Sequence, residues 1–300
     1  MAEGFASVAC FSITTLLVVS LANLILLIMM ILESRKKCTV DSDVTDSAFR
    51  FGALQAEDKF SSLIHKNNIP SANSNFMAAL VLLKGTSMTL ICGTTIISKF
   101  WVVTTGHCCE LIRIYPFEKL KLASNSENWR KGKKHSVENL VQHINFTAKS
   151  SSFNVCLVKA GSPFKEEHEK PIALSGSNYR YITDTSAITL GWSSNKGVVS
   201  NHVYSIDMNL ISFQRCKTLI KTDRVDETMV CAYNIDRGDC RFDSGGPLIQ
   251  NNILIGIVSF ETDCAKRAPP RVFTRMSYFE KWFQVIEKQN GITIGAVFQN

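Results

Sequence analysis

Between Phe76 and Met276 short runs of β-branched and aromatic residues stop every few positions at clusters of Gly, Asn, Ser and Pro. The runs Met77–Leu83, Thr89–Ile97, Trp101–Thr105, Ala187–Gly191, Val203–Leu210, Ile253–Phe260 and Arg271–Met276 are predicted strands, because such residues pack well on a pleated, half-buried surface. No long helical period separates them, so the pattern predicts an all-β domain built as barrels or a sandwich. The period changes near the end. Ser277 with Glu280 reads as a capping box, and Phe279, Trp282, Phe283 and Ile286 fall on one face of a lone terminal helix.

A different pattern opens the chain. Residues 5–32, FASVACFSITTLLVVSLANLILLIMMIL, are free of charge and long enough to cross a bilayer as a helix. Ser20-Leu21-Ala22 offers a cleavage site, so a removed signal peptide is the alternative to an anchor. Arg35, Lys36 and Lys37 follow the segment and only Glu3 precedes it, which by the positive-inside rule puts the remainder in the cytoplasm. The ten cysteines argue the other way, towards an oxidising compartment, and large domains translocate despite flanking charge. The expectation is a membrane-anchored chain with an extracellular or lumenal domain, or a secreted one. The expected divisions are an anchor or signal segment at 1–37, a polar stem or pro-segment at 38–63, the β domain at 64–288 and a tail at 289–300.

Composition adds little to this. A hydrophobic content of 45% with 20% charged residues describes a globular chain plus an apolar extension. A net charge of +7 favours anionic partners such as glycans or acidic membranes, and no nucleic-acid-binding pattern accompanies it. The run Arg130-Lys131-Gly132-Lys133-Lys134-His135 is a candidate patch for an anionic glycan, with a solvated hairpin as the alternative. Asn145-Phe146-Thr147 is a glycosylation sequon. No cluster has metal-ligand spacing, and no cofactor is implied.

The chemistry centres on Gly238 to Pro247, where Asp243-Ser244-Gly245-Gly246-Pro247 describes a tight turn holding one hydroxyl clear of the backbone. It resembles the nucleophile loop of chymotrypsin-like (S1, trypsin-like) serine proteases, with Ser244 as nucleophile. Cys92 to Ser98, then Trp101 to Cys108, resembles the family's histidine block, with His107 at the general-base position. Gly191-Trp192, Gly256 to Phe260 and Pro270 to Arg275 resemble further blocks in the family's order. The resemblance covers roughly residues 64 to 288. It implies two antiparallel six-stranded Greek-key barrels with a C-terminal helix, beside the N-terminal hydrophobic helix. It also implies disulfides Cys92–Cys108, Cys216–Cys231 and Cys240–Cys264, and an oxyanion hole from the amides of Phe242 and Ser244. The substrate pocket would be bounded by Gly238, Ser259, Phe260, Glu261 and Arg271. Cys10, Cys38, Cys109 and Cys156 have no family partner.

Four departures stand out. The triad aspartate position holds Asn154, and an amide brings no charge to steady an imidazolium. Phe242 replaces the oxyanion-loop glycine, which either distorts the loop or leaves its amide usable. Glu261 and Arg271 replace two glycines of the pocket wall, either pairing across the cleft or turning to solvent. Finally, no Arg or Lys precedes an activation-type N-terminus in Lys59–Phe76, which would leave Asp243 an unpaired buried charge and the loop in another conformation. Two readings follow: a catalytically impaired homologue acting as a binding or regulatory module for a protein or peptide ligand, or a low-activity serine endopeptidase using Ser244 and His107.

Overall fold

The computed structural model describes residues 74–193, 199–220, 225–234, 243–260 and 270–300. Six strands form the first barrel: β1 (Met77–Lys84), β2 (Ser87–Ile96), β3 (Trp101–Thr104), β4 (Leu120–Ser124), β5 (Lys133–Gln142) and β6 (Cys156–Ala160). They close in the order β1-β2-β3-β6-β5-β4, every pair antiparallel. Alternation explains the closure. Ala78, Leu80 and Leu82 of β1 point inward with Ile96, Val102, Leu120, Leu122 and Val158, all essentially without solvent contact. Removing each such aliphatic side chain from water contributes about 1.5–3 kcal/mol.

The second half is built from β7 (Ala173–Ser175), β8 (Ser186–Ser193), β9 (Val199–Ile211), β10 (Met229–Asn234), β11 (Pro247–Gln250), β12 (Ile253–Phe260), β13 (Arg271–Arg275) and β14 (Phe298–Gln299). The run β11-β8-β9-β10-β13-β12 is closed into a second six-stranded antiparallel barrel by pairing of β11 with β12. Ile206, Met208, Leu210, Leu248, Ile255 and Phe273 fill it. Strand β7 then runs parallel to β12, and β14 parallel to β7, so the last residues of the chain lie on this sheet. A third cluster joins the barrels, with Met77, Trp101 and Leu157 from one side against Leu190, Trp192 and Ile257 from the other.

Among the described residues three α-helices accompany the barrels: α1 (Gly106–Ile112), α2 (Phe213–Ile220) and α3 (Glu280–Asn290). The expected face of α3 is present, with Phe283 and Ile286 buried and Phe279 just ahead of them. The capping box is not. Ser277 lies in a 3-10 turn, Met276–Phe279, and its hydroxyl accepts from Arg275 Nε, while the Glu280 carboxylate accepts from the Ser177 amide at 2.6 Å. Partners brought in by the fold displaced the local pair. Among the described residues no helix is long and apolar enough to cross a membrane; the 5–32 segment lies outside them.

Candidate active-site cleft

Helix α1 begins where Thr105 accepts the Cys108 amide, an ordinary N-cap. Gly106 follows with the Phe146 ring so close that a Cβ would sit 2.7 Å from it. His107 lies in the first turn and is exposed. Two disulfides fix this turn, Cys92–Cys108 and Cys109–Cys156. The first is the bridge expected beside the imidazole. The second joins two cysteines left without partners by the sequence, and each lies two residues beyond an expected triad position, His107 or Asn154. That shared offset was the signal available.

Asn154 is 2% exposed and its amide is committed at both ends. Oδ1 accepts the backbone N–H of His107 at 3.0 Å, and Nδ2 donates to Ser259 Oγ at 2.8 Å and to the Ser259 carbonyl at 3.3 Å. A donor on one side and a carbonyl on the other fix which way the amide faces. Its own carbonyl accepts from Thr274 Oγ1 of β13 at 2.8 Å. The approach to it is bent: Ser151 and Phe153 have φ of 57° and 53°, with the Phe153 amide donating to Thr228 Oγ1. The His107 ring makes no hydrogen bond among the described residues, so Asn154 holds the histidine's backbone and leaves its imidazole alone.

The serine turn docks against the first barrel. Gly93 N–H donates to the Ser244 carbonyl at 2.9 Å, and the same carbonyl lies 3.6 Å from Cys108 Sγ, bringing the serine and histidine segments together. Gly245 has φ of +82°, and a Cβ there would meet Thr104 Oγ1 at 2.2 Å and the Gly93 carbonyl at 2.3 Å, so both conformation and space require glycine. The turn is closed by Gly246 N–H to the Asp243 carbonyl and by Gly245 N–H to Val258. Ser244 Oγ, half-buried, has no hydrogen bond among the described residues. Asp243 differs from the expectation of an unpaired charge: it is 6% exposed and its Oδ2 accepts the Trp192 amide of β8. That main-chain dipole offsets part of the cost of burying the carboxylate.

Arg271, expected on the pocket wall, is 5% exposed, so its side chain is enclosed by the fold and does not turn to solvent. Ser259 is buried against Asn154, and Phe260 ends β12 with its backbone in register with Val272. Gly238, Phe242, Glu261 and the pair Cys240–Cys264 lie outside the described residues. Cys216–Cys231 is formed, tying α2 to β10. Asn145 is exposed on the loop that carries Phe146, and its amide donates to His143 Nδ1 at 3.2 Å. His143 stacks on Phe153 at 4.8 Å, and burial holds its pKa below the usual histidine value.

Most of the basic run is engaged within the fold. Arg130 stacks on Trp129 and donates to Asn201, Lys133 pairs with Glu166 at 2.6 Å, and Lys134 donates to the Arg130 carbonyl. His135 is wholly buried between Glu169 at 2.8 Å and Ser162 Oγ at 2.7 Å. Burial alone would raise the Glu169 pKa. Hydrogen bonds from Ser124, the Glu166 amide, His135 and the Lys165 amide outweigh it and hold the carboxyl below its usual value. Lys131 remains exposed.

Comparison with known proteins agrees with this arrangement. The sequence model of the Trypsin family matches residues 64–283. A trypsin of Sarcophaga bullata is 28% identical over 70% of this chain and 84% of its own length. Trypsin epsilon of Drosophila erecta is 26% identical over 64% of this chain and 76% of its own. Transmembrane protease serine 11G of Rattus norvegicus is 26% identical over 65% of this chain and 49% of that protein. A solved structure described as "Structure of GrC" superposes with a TM-score of 0.63 at 20% identity, covering 74% of this chain and 98% of its own. The chain belongs to the trypsin family, and its two barrels are a chymotrypsin-like S1 serine protease domain.

Proposed function

We propose that this domain is a catalytically impaired member of its family that serves as a binding or regulatory module for a protein or peptide ligand. The observation that carries the reading is the committed amide of Asn154: its oxygen is taken by the His107 main chain and its NH2 by Ser259. Among the described residues the imidazole makes no hydrogen bond, and Asn154 is a neutral amide. The same exchange in a related protease lowers kcat by about four orders of magnitude. The enclosed Arg271 supports the reading, since it narrows the place where a substrate side chain would enter. Glu261 as its partner across the wall, Gly238 at the base and Phe242 in the oxyanion loop belong to the same proposal.

One observation favours weak endopeptidase activity instead. The Ser244 turn keeps the glycine conformations and main-chain hydrogen bonds that present a nucleophile. A fluorophosphonate probe on the purified full chain separates the two. We expect no labelling of Ser244 in the native chain, and labelling once Asn154→Asp is combined with Phe242→Gly. Labelling of the native chain that disappears in Ser244→Ala overturns the impaired reading.

The surrounding assignments belong to the proposal as well: residues 1–37 as anchor or signal, 38–63 as stem, a Cys240–Cys264 bridge, a glycan on Asn145 and an extracellular or lumenal location. The disulfides at Cys92–Cys108, Cys109–Cys156 and Cys216–Cys231 support the compartment. For an anionic glycan partner, the exposed cations of the Arg130–His135 run are Arg130, Lys131 and Lys134, and of these Arg130 and Lys134 are also bonded within the fold.

A further inference from the structure

Away from the cleft, a cavity of about 450 Å³ opens between the Tyr179–Thr183 segment, the start of α2 and the outer side of β10 and β13. It shares no residue with His107, Asn154, Ser244 or Ser259. Its floor is apolar, with Ile211, Phe213 and Met229, while two arginines, Arg180 and Arg275, stand on its walls. Arg275 is held in place before any ligand arrives. Its guanidinium lies over the Tyr181 ring at 4.6 Å, and Nε donates to Ser277 Oγ at 3.0 Å. The Tyr181 hydroxyl is itself bonded to the Ile255 carbonyl at 3.0 Å, so the stacking platform is fixed too. Among the described residues the two terminal nitrogens of Arg275 have no hydrogen-bond partner, and neither Arg180 nor Arg275 has an ion pair. Of the nearby acids, Asp184 faces Arg215 at 3.6 Å, and Glu227 lines a second hollow together with Arg275 but makes no ion pair with it among the described residues. Ser212 Oγ, which accepts from the Arg215 amide, still has its hydrogen to donate.

A preorganised guanidinium with its donor fork open, over an apolar floor, fits a planar bidentate acceptor attached to a hydrophobic body. The volume is that of a small-ligand site. We propose that this cavity binds a carboxylate carried on an apolar group, either a small aromatic acid or the C-terminal carboxylate of a peptide ending in an apolar residue. The site does not depend on whether Ser244 is reactive.

Calorimetric titration of the purified full chain tests this with four probes: benzoate, N-acetylphenylalanine, benzamide and acetate. Benzoate or N-acetylphenylalanine should bind saturably, with benzamide (charge removed) and acetate (body removed) at least tenfold weaker. The tighter of the first two identifies the source of the carboxylate. Arg275→Gln should weaken the favoured probe at least tenfold, with near-UV circular dichroism unchanged. Arg180→Gln, at an exposed position, should weaken it severalfold and decides the matter if Arg275→Gln misfolds. Equal affinity for benzoate and benzamide, no saturation by about 10 mM, or unchanged binding in a folded Arg275→Gln or in Arg180→Gln overturns the assignment.

Discussion

At the scale of single residues, the cleft turns on how an amide differs from a carboxylate. A carboxylate at position 154 could accept from the histidine main chain and from its ring together, whereas the amide must point its NH2 at an acceptor and finds Ser259. The serine and asparagine, both buried, are thus mutually dependent. Ser259→Ala should leave Asn154 Nδ2 with only its longer contact to the residue 259 carbonyl, costing about 1–3 kcal/mol, readable as a lower urea midpoint. His143 adds a dependence on pH. Its ring is half-buried against Phe153, Phe279 and Trp282, and this loss of solvent favours the neutral form. Its folded pKa lies below the unfolded value of about 6.5, so the unfolded chain binds the extra proton. Stability from this ring is fully present above pH 6.5 and falls as the pH drops below it. Thermal unfolding should show a slope in that window that His143→Phe flattens.

At the scale of elements, turns and bridges do most of the positioning. The Ser244 turn tolerates nothing larger than hydrogen at Gly245, because a Cβ would meet a carbonyl oxygen that is itself held by Thr104. Backbone strain and overpacking each cost about 1–3 kcal/mol, so Gly245→Ala should lower stability by at least about 2 kcal/mol in guanidinium unfolding. The Cys109–Cys156 bridge links α1 to β6 across 47 positions of chain. Constraining a loop of that size stabilises by about 2–4 kcal/mol, and Cys109→Ala with Cys156→Ala should lose that much in the same measurement. The terminal helix teaches a related point. Its buried face was readable from spacing, but Ser277 and Glu280 found partners in Arg275 and Ser177, neither of which a local pattern can supply.

At the scale of the whole molecule, the sequence revealed strands where β-branched and aromatic residues recur along a run, whether both faces are apolar, as in Ile253–Phe260, or one is polar, as in Val203–Leu210. Ile253–Phe260 agrees to the residue, and Met77–Leu83 to within one. It was silent on β5, Lys133–Gln142, because that strand sends lysines and a glutamate outward and places His135 inward. A buried histidine makes sense there only once Glu169, far along the chain, closes on it. The candidate site divides the same way. Residue types and their order placed His107, Asn154 and Ser244 around one cleft, while the direction of the Asn154 amide and the Trp192 amide on Asp243 are products of three-dimensional closure.

The buried bridge between Cys109 and Cys156 also bears on how the molecule is made. Both sulfur-bearing residues are sealed from solvent, so the link has to be forged while the chain is still open and is then shielded from small thiols. Two preparations of one polypeptide, one from a bacterial cytosol and one routed through a secretory organelle, would share every residue and differ in what clasps His107 to Asn154. Provenance of the sample therefore belongs among the variables of any ligand-binding measurement on this cleft.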